Sequence, residues 1–247
     1  MKTHIATERG AGWEPAYLSN GLVGLRVGAI PLPRGSALVS GFVGRHDASN
    51  VEAAAWAPYP LAGDVGVGNA RLSRAEDRAA FERQQYDFSC GELTGRFTFD
   101  AGVAKLTVEV LTVCCRSLPT VCLQEIRVTA DRPCELVLVG RIDPRGLPGE
   151  VLWRSMPRSV SDGVVHLRAP GGYSTCGAAM LTELVGAEPT RIHTNDWGCE
   201  TDICHKEYHV AAQAGQTVAL RQYGALVPSL MHAEPHWQAH RLLGLAA

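Results

Sequence analysis

The chain lacks most of what would mark it for a membrane, a polyanion or a familiar catalytic engine. No stretch approaches the roughly 20 apolar residues that a membrane-spanning helix needs. The amino-terminal run Met1-Lys2-Thr3-His4-Ile5-Ala6-Thr7-Glu8-Arg9 turns polar where a secretory signal requires apolar residues, so a cytoplasmic protein is expected. An excess of charge of one sign is also missing. The 23 basic and 25 acidic residues leave a formal charge of −2, too little for a field that draws nucleic acid or an anionic membrane. Neither is expected as a partner. The Gly-x-Ser-x-Gly elbow and the Cys-x-x-Cys-His haem motif do not occur. Gly63-Asp64-Val65-Gly66-Val67-Gly68 lacks the strand-to-helix setting of a phosphate loop. No cofactor is expected, and no repeat or low-complexity tract interrupts the chain.

What the sequence does have is period two. In a chain of 247 residues that is 46% hydrophobic, Leu93–Asp100 and Val103–Val113 alternate apolar and polar side chains around the turn Ala101-Gly102, as half-buried hairpin strands do. Val121–Val128 and Glu135–Ile142 come next, around Asp131-Arg132-Pro133. Four successive strands without a helix between them predict an antiparallel sheet. Similar segments recur near Leu22–Ile30, Ala37–Val43, Val164–Ala169, Tyr173–Leu181, Tyr208–Ala212 and Thr217–Leu226. About ten to fourteen strands require two stacked sheets or a barrel, and the expected fold is all-β, a large two-sheet antiparallel β-sandwich. Two helices are expected. One runs over residues 73–81, with Ser73 and Glu76 as a capping box, and the other begins near Ser229 despite Pro235.

Two segments carry a family resemblance. Asn20-Gly21-Leu22-Val23-Gly24-Leu25-Arg26 is similar to the "NG-x-x-G-x-R" signature of glycoside hydrolase family 65, the trehalose, maltose and kojibiose phosphorylases and related hydrolases. Gln84-Gln85-Tyr86-Asp87-Phe88-Ser89-Cys90-Gly91-Glu92-Leu93 resembles that family's "Q-x-L-D-x-x-x-G-x-L" passage, with Tyr86 in place of leucine. Asn20, Gly21, Gly24, Arg26, Gln85, Asp87, Gly91 and Leu93 are read as structural motif positions. Cys115-Arg116-Ser117 and Ile142-Asp143-Pro144 are similar to further points of the same domain. The resemblance implies an amino-terminal sandwich of the galactose mutarotase-like supersandwich type over residues 1–228, and in 229–247 the opening of a helical linker toward an (α/α)6 catalytic barrel. It implies an intact enzyme that cleaves an α-linked disaccharide by inversion with phosphate or water. In this chain it implies a non-catalytic domain that packs on the barrel, contributes specificity loops and supports a homodimer. No residue matches the family's catalytic motif.

Sugars are commonly held between an aromatic face and hydrogen-bonding side chains. Aromatic residues make up only 6% of the chain, so those in loops stand out. Trp56 and Tyr59, in the proline-rich stretch Ala55–Pro60, and Trp197, in Asn195–Cys199, are the candidate carbohydrate contacts; the plain alternative is that they lid the sandwich. Asp87, Glu92, Asp143 and Glu150 lie nearest the matched segments, but nothing pairs them at the separation of about 5 to 10 Å that glycosidic cleavage uses, and turn caps or exposed strand positions explain them. No catalytic acid is named.

No metal is expected. Cys199, Cys204, His205 and His209 offer suitable ligand types but lack Cys-x-x-Cys spacing, and on a strand the two histidines would stand about 13 Å apart. His232, His236 and His240 form a helical stripe, read as a linker surface. The eight cysteines read as reduced, packed thiols. The rival reading is a stand-alone carbohydrate-binding sandwich or a mutarotase-like epimerase, for which His166 and His193 would have to converge as acid and base.

Overall fold

The computed structural model describes residues 4–7, 15–46, 48–157, 159–195 and 203–246. The largest sheet runs, in spatial order, β1 (His4–Thr7), β9 (Ala79–Asp87), β10 (Glu92–Asp100), β11 (Lys105–Cys114), β12 (Val121–Ala130), β19 (Thr217–Pro228), β16 (Thr175–Val185), β15 (Gly163–Arg168) and β14 (Glu150–Ser155). A second sheet contains β17 (Arg191–Thr194), β18 (Cys204–Ala212), β13 (Cys134–Ile142), β7 (Ala62–Val67) and β8 (Ala70–Arg71). A third contains β2 (Ala16–Ser19), β3 (Val23–Val27) and β4 (Gly35–Val39), and β5 (Val43–Arg45) pairs with β6 (Glu52–Ala54). These named pairings are antiparallel. The result is the expected all-β sandwich, in which the smaller sheets cover one face of the large one.

Alternation along β11 and β12 turns one apolar set inward, and that set divides into two cores. Phe97, Phe99, Leu106, Val108, Val110, Ile126, Val128 and Leu220 pack against Val65, Leu136, Leu138, Tyr208 and Val210 of the second sheet. Cys114, Cys122, Val165, Leu167, Ala178, Met180 and Leu226 pack instead against Leu18, Val23, Leu25, Ala37 and Val39 of the third. Between the two cores runs a buried polar row. Thr112, Gln124, Gln222 and Thr182 are register neighbours across β11, β12, β19 and β16, and each is at most 5% exposed. Gln124 donates to the Leu61 carbonyl at 2.8 Å, and Gln222 donates to those of Pro60 and Ala62 at 2.9 and 3.0 Å. The glutamines thus satisfy the backbone of the segment entering β7, which would otherwise carry unpaired carbonyls into the interior. Gly140 faces the same row; a Cβ there would stand 2.5 Å from Thr182 Cγ2, so the sheets approach too closely for a larger residue.

Three expectations need correction. Residues 73–81 do not form an α-helix. Two 3-10 turns, Leu72–Arg74 and Glu76–Arg78, lead directly into β9. Ser73 makes no helix cap because buried Asp64 takes both its backbone N–H and its hydroxyl, and Ala79 onward is claimed by pairing with β10. The four strands from 93 to 142 do not share a sheet either: β10, β11 and β12 are neighbours, whereas β13 crosses to the second sheet. The carboxyl-terminal helix α1 (Pro235–Ala246) begins at Pro235 rather than surviving it. The first turn has no use for the missing N–H, so proline starts a helix well. Among the described residues no helix is long and apolar enough to cross a membrane.

Helix α1 lies on the outer face of the large sheet. Ala239 and Leu243 pack on Val121, Val164, Ala179, Ala225 and Val227. At Gly177 the helix start comes so near that a Cβ would stand 2.3 Å from the His236 backbone nitrogen.

Candidate functional site

Trp56 lines an open groove of about 370 Å3 together with Arg45, His46, Ala53, Pro148 and Pro170. Local structure explains its exposure. Ala55 N–H bonds the Phe42 carbonyl at 3.0 Å and Ala57 N–H bonds that of Ala37 at 2.9 Å, so both alanines turn inward. Ala55 is 8% exposed and Ala57 1%, and the indole between them is turned out, at 42%. The β5–β6 hairpin forms the opposite wall. Its Val43 N–H bonds Ser174 Oγ at 2.8 Å, and Gly44 lies against Pro170, which ties the hairpin to the Pro170–Gly172 turn. His46 Nδ1 bonds Ser49 Oγ at 2.9 Å, and its Nε2 has no bond to another described residue. Exposed Tyr173 stands beside the Pro170–Gly172 turn. Arg45 and His46 escape sequence reading because β5 has three residues, too few to show a period, and His46 follows it in the connecting loop.

The groove offers an indole face and two nitrogen-donor side chains. Its described lining residues are Gly, Ala and Pro besides Arg45, His46 and Trp56, a set that can hold a polar ligand with an apolar face.

Tyr59 does not share this groove. It is 5% exposed, and its ring fills the space over Gly35, where a Cβ would stand 2.3 Å from Cζ. Burial, with the Cys122 and Cys114 thiols beside it, pushes the phenol far above its ordinary value, and its hydroxyl has no partner among the described residues. In this position Tyr59 offers no surface to a ligand. Trp197 and Cys199 lie outside the described residues.

The motif positions gather at one end of the sandwich. Asn20 Nδ2 donates to the carbonyls of Cys115 and Pro119 at 2.6 and 2.9 Å, while its Oδ1 accepts from Leu22 and Val23 at 3.0 and 2.9 Å. One side chain therefore closes the turn at Gly21 and pins it to the β11–β12 turn, which contains Arg116. Gly24 lies under the ring of Tyr17, and Arg26 is exposed on β3 opposite Tyr17. Asp87 Oδ1 accepts from Ser89 N–H at 2.8 Å, Gly91 N–H returns to the Asp87 carbonyl at 2.8 Å, and Leu93 is buried. Period two places Gln85 beside Thr94 on the outer side; its neighbour Gln84 is the buried glutamine, donating to the Gly28 carbonyl at 3.1 Å. Among the carboxylates, burial works to raise Asp143, but bonds from Arg145 outweigh it and hold the group low, and Glu150 pairs with Arg168 at 2.9 Å.

His166 and His193 do not converge. His166 projects from β15 to the outer face of the large sheet, where it stacks on His236, while His193 lies on the outer face of the second sheet beside His205. Both layers separate them. His236 and His240 face the sheet rather than forming a surface stripe, and His232 precedes the helix. Cys204 points inward, bonding the carbonyls of Ser155 and Val164, whereas His205 and His209 point out; His209 is held by Glu207 at 2.6 Å and Glu135 at 3.1 Å. Among the described residues no group of three or more ligating side chains is placed to hold a metal.

No protein-family model matches the chain, and no curated protein matches it in sequence. Among solved structures it is similar in fold to a protein described as "Putative kojibiose phosphorylase from human microbiome", with a TM-score of 0.74 and 13% identity over 93% of this chain. The chain spans 32% of that protein. A heparan sulfate lyase from Pedobacter heparinus overlaps only slightly, with a TM-score of 0.40 and 9% identity over 82% of this chain and 33% of its own.

Proposed function

We propose that this chain is the sandwich domain of a glycoside phosphorylase or hydrolase like those of family 65, acting on α-linked disaccharides. The observation that carries the reading is the overlap of 93% of the chain, at a TM-score of 0.74, with the protein described as "Putative kojibiose phosphorylase from human microbiome". The order of the Asn20-Gly21 and Asp87…Gly91 segments supports it independently. The domain packs on an (α/α)6 barrel that carries the chemistry, takes part in homodimer contacts, and works in the cytoplasm, where its seven described free cysteines would stay reduced. Its own contribution is the groove at Trp56, which holds a saccharide by stacking and through Arg45 and His46 without cleaving it.

The reading is tested by titrating the purified chain with kojibiose and with maltose while following tryptophan fluorescence or heat. Trp56→Ala is expected to weaken binding roughly tenfold by loss of the stacking face; unchanged affinity, or no saccharide binding by the wild type, would remove the groove from the proposal. With phosphate and disaccharide, the chain alone is expected to release no sugar phosphate. Turnover, or interconversion of sugar anomers by the chain alone, would replace the accessory role with a catalytic one.

A further inference from the structure

The histidines stacked between α1 and the large sheet have no part in the saccharide reading. The rings of His166 and His236 lie 4.3 Å apart between centroids and 18° from parallel. Trp153 and Trp237 close the cluster, Trp153 lying 5.1 Å from His236 and 5.1 Å from Trp237. Two ring nitrogens in it, His166 Nε2 and His236 Nδ1, are buried and have no hydrogen-bond partner among the described residues. A neutral imidazole tolerates that setting; a protonated one does not, because each new N–H⁺ would be a buried cation without an acceptor, facing a second imidazole.

We propose that α1 is an acid-released latch: neutral His166 and His236 hold it on the large sheet, and their protonation frees the helix while the sandwich remains folded.

The surrounding charges do not cancel the effect. From β15, Arg168 adds positive charge near His166, its own partner being Glu150 of β14. On the helix side, Glu234 is the carboxylate near His236 and favours its protonated form, while His240 bonds Ser161 Oγ at 2.8 Å and has Arg241 beside it. Against the helix start, β16 contributes Gly177 and Ala179, neither of which can accept a proton's charge. Burial first, then His236 and Arg168, push His166 down to about 4; burial likewise lowers His236 and His240. A freed histidine titrates near 6.5, so the docked state binds fewer protons between that value and about 4. Docking is complete above the upper limit and is lost as pH falls through the window. A free helix of 12 residues is marginal in water, so release also melts it. The two inner cores contain neither histidine, so protonating the pair leaves their packing untouched.

Amide hydrogen exchange on the intact chain at pH 7.5 and pH 4.5, corrected for intrinsic rates, tests the latch. Protection of helix amides 238–246 is expected to fall at least roughly tenfold at the lower pH, with β11 and β12 keeping theirs. His166→Phe and His236→Phe, which retain a flat ring but no proton site, are expected to keep the helix protected at pH 4.5. The latch is overturned by wild-type helix protection that ignores pH, by equal loss in β11 and β12, or by the same acid loss in both phenylalanine variants. Should a variant fail to fold, histidine Cε1 shifts in the wild type decide: His166 titrating together with helix release supports the latch, and titration near 6.5 with the helix still docked refutes it.

Discussion

At the scale of single residues, a side chain's type says less than the bonds its neighbours have already made. Trp56 and Tyr59 lie three positions apart in the same proline-rich segment, yet one is a surface indole and the other a core filler. The difference comes from Ala55 and Ala57, whose backbone bonds fix which way each residue turns. Tyr59→Phe should therefore be neutral or stabilise the fold by up to about 1 kcal/mol, because it removes a buried hydroxyl that has no partner among the described residues. Thermal denaturation measures this, and a loss of several degrees would mean that the hydroxyl is bonded. Saccharide affinity should not change in this variant. Asn20 is the contrary case: its sequence setting identifies a turn, but not the reach of its amide to Cys115 and Pro119.

At the scale of elements, local signals were right where the strands are long and wrong where a distant partner decided. Strands β10 and β11 were legible because nine and ten residues of alternation leave little choice of face. The segment from 73 to 81 carries helix formers and a cap, but Asp64 captures Ser73 and the open edge of β10 pairs with the chain from Ala79 onward. The glutamine row was invisible for a related reason. Gln124 and Gln222 occupy inward positions of apolar strands and look like errors in the pattern until the Pro60–Ala62 segment crosses above them. Gln222→Leu is expected to cost about 2 to 4 kcal/mol, since it strands the Pro60 and Ala62 carbonyls in the interior. Urea unfolding with an unchanged slope would register it; a cost below 0.5 kcal/mol, taken as roughly the scale of an ordinary surface change, would show that the row is dispensable.

At the scale of the whole molecule, the large sheet is covered on both sides, by the smaller sheets within and in part by α1 outside. The helix seat of Val164, Ala179, Ala225 and Val227 is apolar and becomes surface once the helix leaves. Deleting residues 229–247 should preserve the strand signal in circular dichroism but increase dye binding and self-association relative to the intact chain, as exposed apolar patches do. Light scattering that shows no difference would mean that the seat is not buried by the helix in solution. This is also the scale at which the candidate site became visible: the groove walls come from residues 45, 56, 148 and 170, which only the folded chain assembles.

The amino-acid sequence by itself determined the all-β class, the central strands and their inward faces, because alternation with period two is a local property that burial rewards wherever the strand ends up. It also marked Trp56, Tyr59 and Trp197 alike as aromatic residues in loops, without telling them apart. The tertiary structure alone decided which sheet each strand joined, that residues 79–87 pair rather than coil, that Tyr59 is sealed in, and that His166 meets His236. Those outcomes depend on contacts between residues far apart in the chain, whose energies a local pattern does not contain.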